Sequence, residues 1–290
     1  MAKVRLGIAF AGGGVRGAGH LGIMQALYEH KIYPEIYTGT SAGSIVASLL
    51  AFSYKPEQAL EKFESINKQL IDIAYGHILK GIFTGGRIEG FVKGDKLESL
   101  LDDMFNGHNL GKIYAPLGIV ATDINKAKQV VFTNKLEGFS IEDINDDNFQ
   151  LCWSSDTLDY KISEVVRASC GMPTIFLPKY INDMKLVDGG VTNNLPSDVA
   201  KALGADKVIS INLGYNGETK TDGIIDIGHE SINILMERIV DENRGNFGLL
   251  LNPEIFDVSA LATSRIQECF DRGYKYGVSQ IDNIVKYLEE

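Results

Sequence analysis

Two short runs of strand-forming residues, each entering a glycine-rich turn and then a helix, restrict the fold of this chain more than any other feature. Val4 to Ala11 leads into Gly12-Gly13-Gly14-Val15-Arg16-Gly17, after which Leu21, Met24, Leu27 and Tyr28 fall on one helical face. The unit then repeats. Glu35 to Thr38 is short and extended, Gly39 to Gly43 turns, and Ser44 to Phe52 is apolar over a helical length. Strand-turn-helix units in tandem predict parallel strands joined by crossover helices, hence an α/β fold with a helix-covered sheet.

Further along, the strand signal disappears from Pro56 to about Asn106. Leu60, Phe63, Ile66, Leu70 and Ile73, then Leu97, Leu100, Leu101 and Met104, recur at three-to-four spacing, which reads as a helical insertion or cap. Strands resume at Leu117 to Ala121 and Gln129 to Phe132, a hairpin turning at Asn125-Lys126. Glu142 to Asp159 is rich in Asp and Asn without periodicity and reads as an exposed loop or an extra hairpin. A helix near Ser163 to Ala168, a strand at Lys185 to Val187, a helix after Pro196 and a buried strand at Val208 to Leu213 restore the β/α alternation. Helical stretches at Ile224 to Val240 and Arg265 to Leu288 follow. No linker or repeat marks a second domain, so residues 1–290 read as one domain with an insertion at about 56–106.

Composition removes several function classes. The chain has 290 residues, 44% hydrophobic and 23% charged, enough apolar material for a large core. Its 28 basic and 38 acidic residues give a net charge of -10, which argues against nucleic-acid binding and weakens attraction to anionic membranes. The longest apolar run, Ile45 to Phe52, is too short to cross a bilayer, and the start lacks a signal-peptide layout, so a soluble, cytoplasmic protein is expected. Cys152, Cys170 and Cys269 are too few and too far apart for a disulfide framework or a C-x-x-C site. The histidines, at 20, 30, 77, 108 and 229, contain no H-E-x-x-H, so neither a metal nor a cofactor is expected.

Three motifs carry chemistry. Gly39-Thr40-Ser41-Ala42-Gly43 fits G-x-S-x-G, the sharp strand-to-helix turn that lifts a serine hydroxyl to the edge of a sheet. A glycine-rich turn with a helix-capping serine is the plainer alternative. Gly12-Gly13-Gly14 lies between strand and helix, where successive N–H groups bind an anion or a developing oxyanion. Gly12, Gly14 and Gly17 also satisfy G-x-G-x-x-G, so a nucleotide- or anion-binding protein stays open, although the second strand ends in Gly39-Thr40-Ser41 and not in a ribose-binding acid. Asp188-Gly189-Gly190 sets a carboxylate at the end of an apolar strand, or is an ordinary Asp-Gly turn. A Ser-acid-His triad in chain order leaves only His229 as base, and His20 reads as a packing residue. An aspartate touching the serine directly is the other route to a base.

GGGVRG, GTSAG and DGG, in this order within an α/β pattern, closely resemble the patatin-like phospholipase family. Ala121-Thr122-Asp123-Ile124 with Val130-Val131-Phe132, and Val166-Arg167-Ala168-Ser169-Cys170-Gly171-Met172-Pro173 with Ile175-Phe176, look like further family segments, so the similarity runs from about Val4 to Gly214. The resemblance implies a three-layer α/β/α sandwich with a mainly parallel central sheet and a metal-free lipid acyl hydrolase acting through a Ser-Asp dyad. It implies Ser41 as nucleophile, Asp188 as general base, the Gly12, Gly13 and Gly14 amides as oxyanion hole, and Arg16 as a site for an anionic group such as a lipid phosphate. The implied partners are an acyl-lipid substrate and a transiently contacted membrane surface, with no nucleic acid. A catalytically silent scaffold with the same fold is the remaining alternative. With Gly76, Gly81, Gly85 and Gly86 as hinge points, residues 56–106 are expected to form a cap that opens at a lipid surface.

Overall fold

Alternate residues of the first strand enter two different cores. In β1 (Leu6–Phe10), Leu6, Ile8 and Phe10 face the larger core and Ala9 the smaller, so both faces of the sheet are covered. A computed structural model describes residues 4–66, 90, 92–155, 159–214, 217, 223–242, 246 and 248–290. Its nine-stranded sheet comprises β1, β2 (Ile36–Thr40), β3 (Leu117–Asp123), β4 (Lys128–Thr133), β5 (Phe149–Trp153), β6 (Lys179–Ile181), β7 (Met184–Asp188), β8 (Lys207–Ile211) and β9 (Leu249–Leu251). The order is β5-β4-β3-β2-β1-β8-β9. From β3 through β9 this path is parallel, while β4 and β7 pair antiparallel with β3.

Helices α1 (Ala18–Glu29), α2 (Ala42–Ala51), α3 (Asp95–Met104) and α4 (Ile162–Ser169) cover the larger core, and α5 (Ser197–Ala202) the smaller. Val240 of α6 (Ile224–Glu242) joins the smaller core, and α7 (Ile266–Glu289) buries Ile266, Cys269, Ile281 and Ile284 in the larger one. The three-layer α/β sandwich is therefore as expected.

Three segments refine that expectation. β2 ends at Thr40 and not at Thr38, because Gly39 still pairs with Phe10 on one side and Ile119 on the other. Within Glu142 to Asp159, Phe149–Trp153 is a strand parallel to β4, so the segment is neither a plain loop nor a hairpin. It is an edge strand of five residues in which Phe149 and Leu151 are only partly buried against the smaller core and Cys152 faces the larger, too short a signal to stand out from the Asp- and Asn-rich residues before it. In the 56–106 segment, the helical stretch 56–66 buries Ala59, Phe63 and Ile66 in the larger core, and α3 adds Leu97, Leu101 and Met104. Residues 67–89, with Gly76, Gly81, Gly85 and Gly86, lie outside the described residues.

Candidate active site

The G-x-S-x-G turn is built by two close approaches. A Cβ on Gly39 would lie 2.2 Å from the Gly43 carbonyl oxygen, and one on Gly43 would lie 2.2 Å from that of Phe10, so both positions admit only glycine. Between them Ser41 is forced to φ 54°, ψ -126°, a conformation that costs about 1–3 kcal/mol for a residue with a side chain. Its amide donates to Ser169 Oγ at 2.9 Å, and that hydroxyl donates in turn to the Val120 carbonyl at 2.6 Å. Ser169 thus ties the turn to β3, and Ser41 stands at the N-terminus of α2.

β7 runs antiparallel to β3 in the space beyond the end of β2 and delivers Asp188 there. Gly189 closes the turn, since a Cβ on it would meet the Val120 carbonyl at 2.2 Å. Asp188 Oδ1 accepts the Gly190 N–H at 2.9 Å, so the Asp-Gly turn expected from sequence is present as well. Oδ2 is buried without a hydrogen-bond partner among the described residues. Burial pushes the Asp188 carboxyl up to about 6, against smaller opposing contributions from the Gly190 amide and the Ser41 hydroxyl. Ser41 therefore sits close enough to favour the carboxylate without closing a hydrogen bond of ordinary geometry on it. Such looseness is common in substrate-free sites. No imidazole bonds the carboxylate among the described residues.

Of the three loop glycines, only two keep free donors. Gly12 N–H is held by Asn194, at 3.2 Å from Oδ1 and 3.3 Å from the carbonyl oxygen, whereas the Gly13 and Gly14 amides bond to no described residue. Gly14 has φ 59°, and a Cβ there would lie 2.3 Å from the Ala260 carbonyl oxygen. Ala260 also accepts the Val15 amide at 2.9 Å, so a segment far along the chain clamps the loop from outside. Arg16 is buried, its Nε donating to the Gly13 carbonyl at 3.1 Å and an Nη to that of Gly214 at 2.6 Å. Its guanidinium braces the loop.

Gly12, Gly13, Gly14, Arg16, Ser41 and Asp188 all line one cavity of about 320 Å³. Its walls are mostly apolar: Ile45, Phe63, Val92, Leu97, Met172, Ile175 and Phe176 on one side, Met236 and Leu261 on the other. His229, Asn233 and Glu237 of α6 complete it, with His229 Nδ1 3.6 Å from Glu230 Oε1. His20 lies elsewhere, fully buried, with Nε2 2.8 Å from the Ala11 carbonyl and its ring pKa lowered to about 4 by burial, consistent with a neutral packing residue. Burial also pushes the Cys170 thiol of the cavity wall up to about 12, so it stays protonated. Thr40, at the end of β2, donates its hydroxyl to the Asn193 carbonyl, and no ribose-binding acid stands there. Among the described residues no group of three His, Cys, Asp or Glu could hold a metal ion, and no helix is long and apolar enough to cross a membrane.

Nothing local in the sequence marks Asn194, Ser169 or the Ala260 segment for the contacts they make. Asn194 stands six residues after Asp188 and Ser169 lies in the V-R-A-S-C-G-M-P segment, but only spatial contact reveals what either side chain holds.

The fold and these motifs define a class, the patatin-like α/β hydrolases. The patatin-like phospholipase family model matches residues 8–201, and the chain belongs to that family, whose members are lipid ester hydrolases. Patatin-like phospholipase domain-containing protein 7 of Rattus norvegicus is 28% identical over 234 residues, covering 76% of this chain and 14% of its own length. Neuropathy target esterase sws of Drosophila melanogaster is 22% identical over 315 residues, 97% of this chain and 20% of its own. The chain thus spans about a seventh to a fifth of these relatives. Among solved structures, VipD from Legionella pneumophila matches with a TM-score of 0.50 at 14% identity over 97% of this chain and 67% of that one, a likeness of fold.

Proposed function

We propose that the protein is a serine lipid acyl hydrolase that cleaves carboxylic esters through a Ser41-Asp188 dyad and an acyl-enzyme. The observation that carries this reading is the convergence of a strained serine and a buried, incompletely bonded carboxylate on one apolar cavity. With a carboxyl pKa near 6, Asp188 is mostly ionised at neutral pH and basic enough to take the Ser41 proton. Ser41 Oγ then bonds to the ester carbonyl carbon, and the oxyanion is held by the Gly13 and Gly14 amides, with Gly12 kept for Asn194. Collapse expels the alcohol, which takes the proton from Asp188. Water attacks the acyl-enzyme, gives its proton to Asp188, and the second collapse returns that proton to Ser41 as the fatty acid leaves. Arg16 keeps the loop in shape and adds positive charge to the cavity wall. The apolar wall of Ile45, Phe63, Ile175 and Phe176 suits an acyl chain. A fluorophosphonate probe tests the reading: it should label Ser41 in the wild type and leave Ser41→Ala unlabelled, while mass spectrometry of a mixed lipid extract should show fatty acids released by the wild type alone. An unlabelled wild type would leave a silent scaffold.

A further inference from the structure

Two buried polar side chains of α4, two residues apart, hold different parts of the cavity. Ser169 Oγ accepts the Ser41 amide and so ties the helix to the serine turn. Arg167, 2% exposed, holds the apolar wall: its Nη2 donates to the Lys93 carbonyl at 2.7 Å and to the Leu177 carbonyl at 2.8 Å. Those carbonyls belong to two short segments that meet in a parallel bridge at Val92 and Phe176. There the Val92 amide donates to the Ile175 carbonyl and the Leu177 amide to that of Val92, both at 2.8 Å. The guanidinium also lies 4.9 Å from the centroid of the Phe176 ring. Gly94 makes room for it, since a Cβ there would sit 1.8 Å from Arg167 Nε. A planar guanidinium bonds two carbonyls and stacks on a ring at once, which an ammonium does not reproduce. Nη1 is buried and bonds to no described residue. An incompletely paired cation costs stability, so a brace for the fold alone is a poor reason to keep one here.

We propose that Arg167 is a positioning residue for acyl-chain selectivity: it fixes the wall of Val92, Ile175 and Phe176 against the helix that also holds the Ser41 turn, and so sets the space a long acyl chain fills. The inference rests on the lipid acyl hydrolase reading for its occupant. All three wall residues line the cavity, whereas Arg167 does not and acts only through them. Apolar contact energy grows with the area covered, so a long chain depends on this wall and a short one gains little from it. Selectivity, and not the chemistry at Ser41, is what the guanidinium controls.

Arg167→Lys tests this, because it keeps the charge and loses the fork and the flat face. The ratio of kcat/KM on p-nitrophenyl decanoate to that on the butyrate should fall at least about tenfold, through KM and not kcat. Phe176→Leu should lower the same ratio, and the double variant should fall little further than the stronger single one, since both act through one wall. Gly94→Ala, which drives a methyl into the guanidinium, should shift the ratio in the same direction and replaces Arg167→Lys if circular dichroism shows that variant unfolded. An unchanged ratio, whether both rates hold or both fall together, would make Arg167 a structural residue only and overturn the proposal. Full additivity with Phe176→Leu would overturn it as well. If the wild type cleaves neither ester, the hydrolase reading falls, and calorimetry with dodecanol still decides the role of Arg167. Its Kd should then rise at least about tenfold in Arg167→Lys; an unchanged Kd, or a wild type that binds no dodecanol, would overturn the proposal.

Discussion

Asp188 stands beside Ala121 in the lane of the sheet that Ser41 would occupy if β2 ran one residue further. Thr40 pairs with Val120 in parallel register and Asp188 with Ala121 in antiparallel register, so β2 and β7 end against each other along β3. Ser41 has to leave the sheet at this point, and the left-handed turn is how it does so. The relative position of the two side chains is thereby fixed by strand pairing, which is stiffer than any loop.

Backbone strain at Ser41 makes the first prediction. Ser41→Ala should abolish hydrolysis of p-nitrophenyl esters with an unchanged circular dichroism spectrum, since only the attacking oxygen is lost. Ser41→Gly should be equally inactive yet more stable than Ser41→Ala by about 1 kcal/mol in urea unfolding, because glycine adopts φ 54° without a Cβ penalty. Residual activity within tenfold of wild type in either variant would remove Ser41 as nucleophile.

The raised carboxyl of Asp188 couples activity and stability to pH in opposite directions. kcat/KM should fall below about pH 6 with the slope of a single proton, as the base becomes protonated. A folded-state pKa above the unfolded value contributes stability that is complete below about pH 4 and is lost as pH rises through about 6. Asp188→Asn, inactive but still able to accept the Gly190 N–H, should therefore match wild type near pH 4 and exceed it by about 3 kcal/mol at pH 8. His229→Ala should keep kcat within tenfold, whereas a thousandfold loss would establish a triad.

What the sequence disclosed follows from where each constraint is local. The turns at Gly12-Gly13-Gly14 and at Ser41 declare themselves because their glycines, serine and flanking strands are neighbours in the chain. β7 was visible as a strand ending in an acid, but its antiparallel entry beside β3 depends on pairing over more than 60 residues. The far wall of the cavity, from Asn212 to Thr263, lies beyond the residues matched by the family model, and there the sequence signals only the end of a strand at Leu213 and a helix over Ile224 to Val240. Its contacts with the loop involve a backbone carbonyl, Ala260, which carries no side-chain signature.

Asn194 is expected to act on the reaction through Gly12. By holding the Gly12 amide it fixes the loop so that Gly13 and Gly14 point their donors into the cavity. Asn194→Ala keeps the backbone half of that bond and should lower kcat about tenfold with KM nearly unchanged, less than the 10²–10³ of a lost oxyanion donor. An effect confined to KM would assign Asn194 to substrate binding instead.

The last prediction concerns α7, which reaches the site without touching the dyad. It lies against α1 backbone to backbone: a Cβ on Gly22 would sit 2.1 Å from the Phe270 carbonyl oxygen, and one on Gly273 would sit 2.2 Å from that of Gly19. Gly22→Ala or Gly273→Ala must push the helices apart and should destabilise the fold by about 1–3 kcal/mol in urea unfolding. The Ala260 segment enters α7 directly, so the same displacement should loosen the Ala260 clamp on Gly14 and Val15. Activity at 25 °C should accordingly fall in these variants while they are still folded. Full activity of folded Gly273→Ala would show that the glycine loop holds its shape without the C-terminal helix.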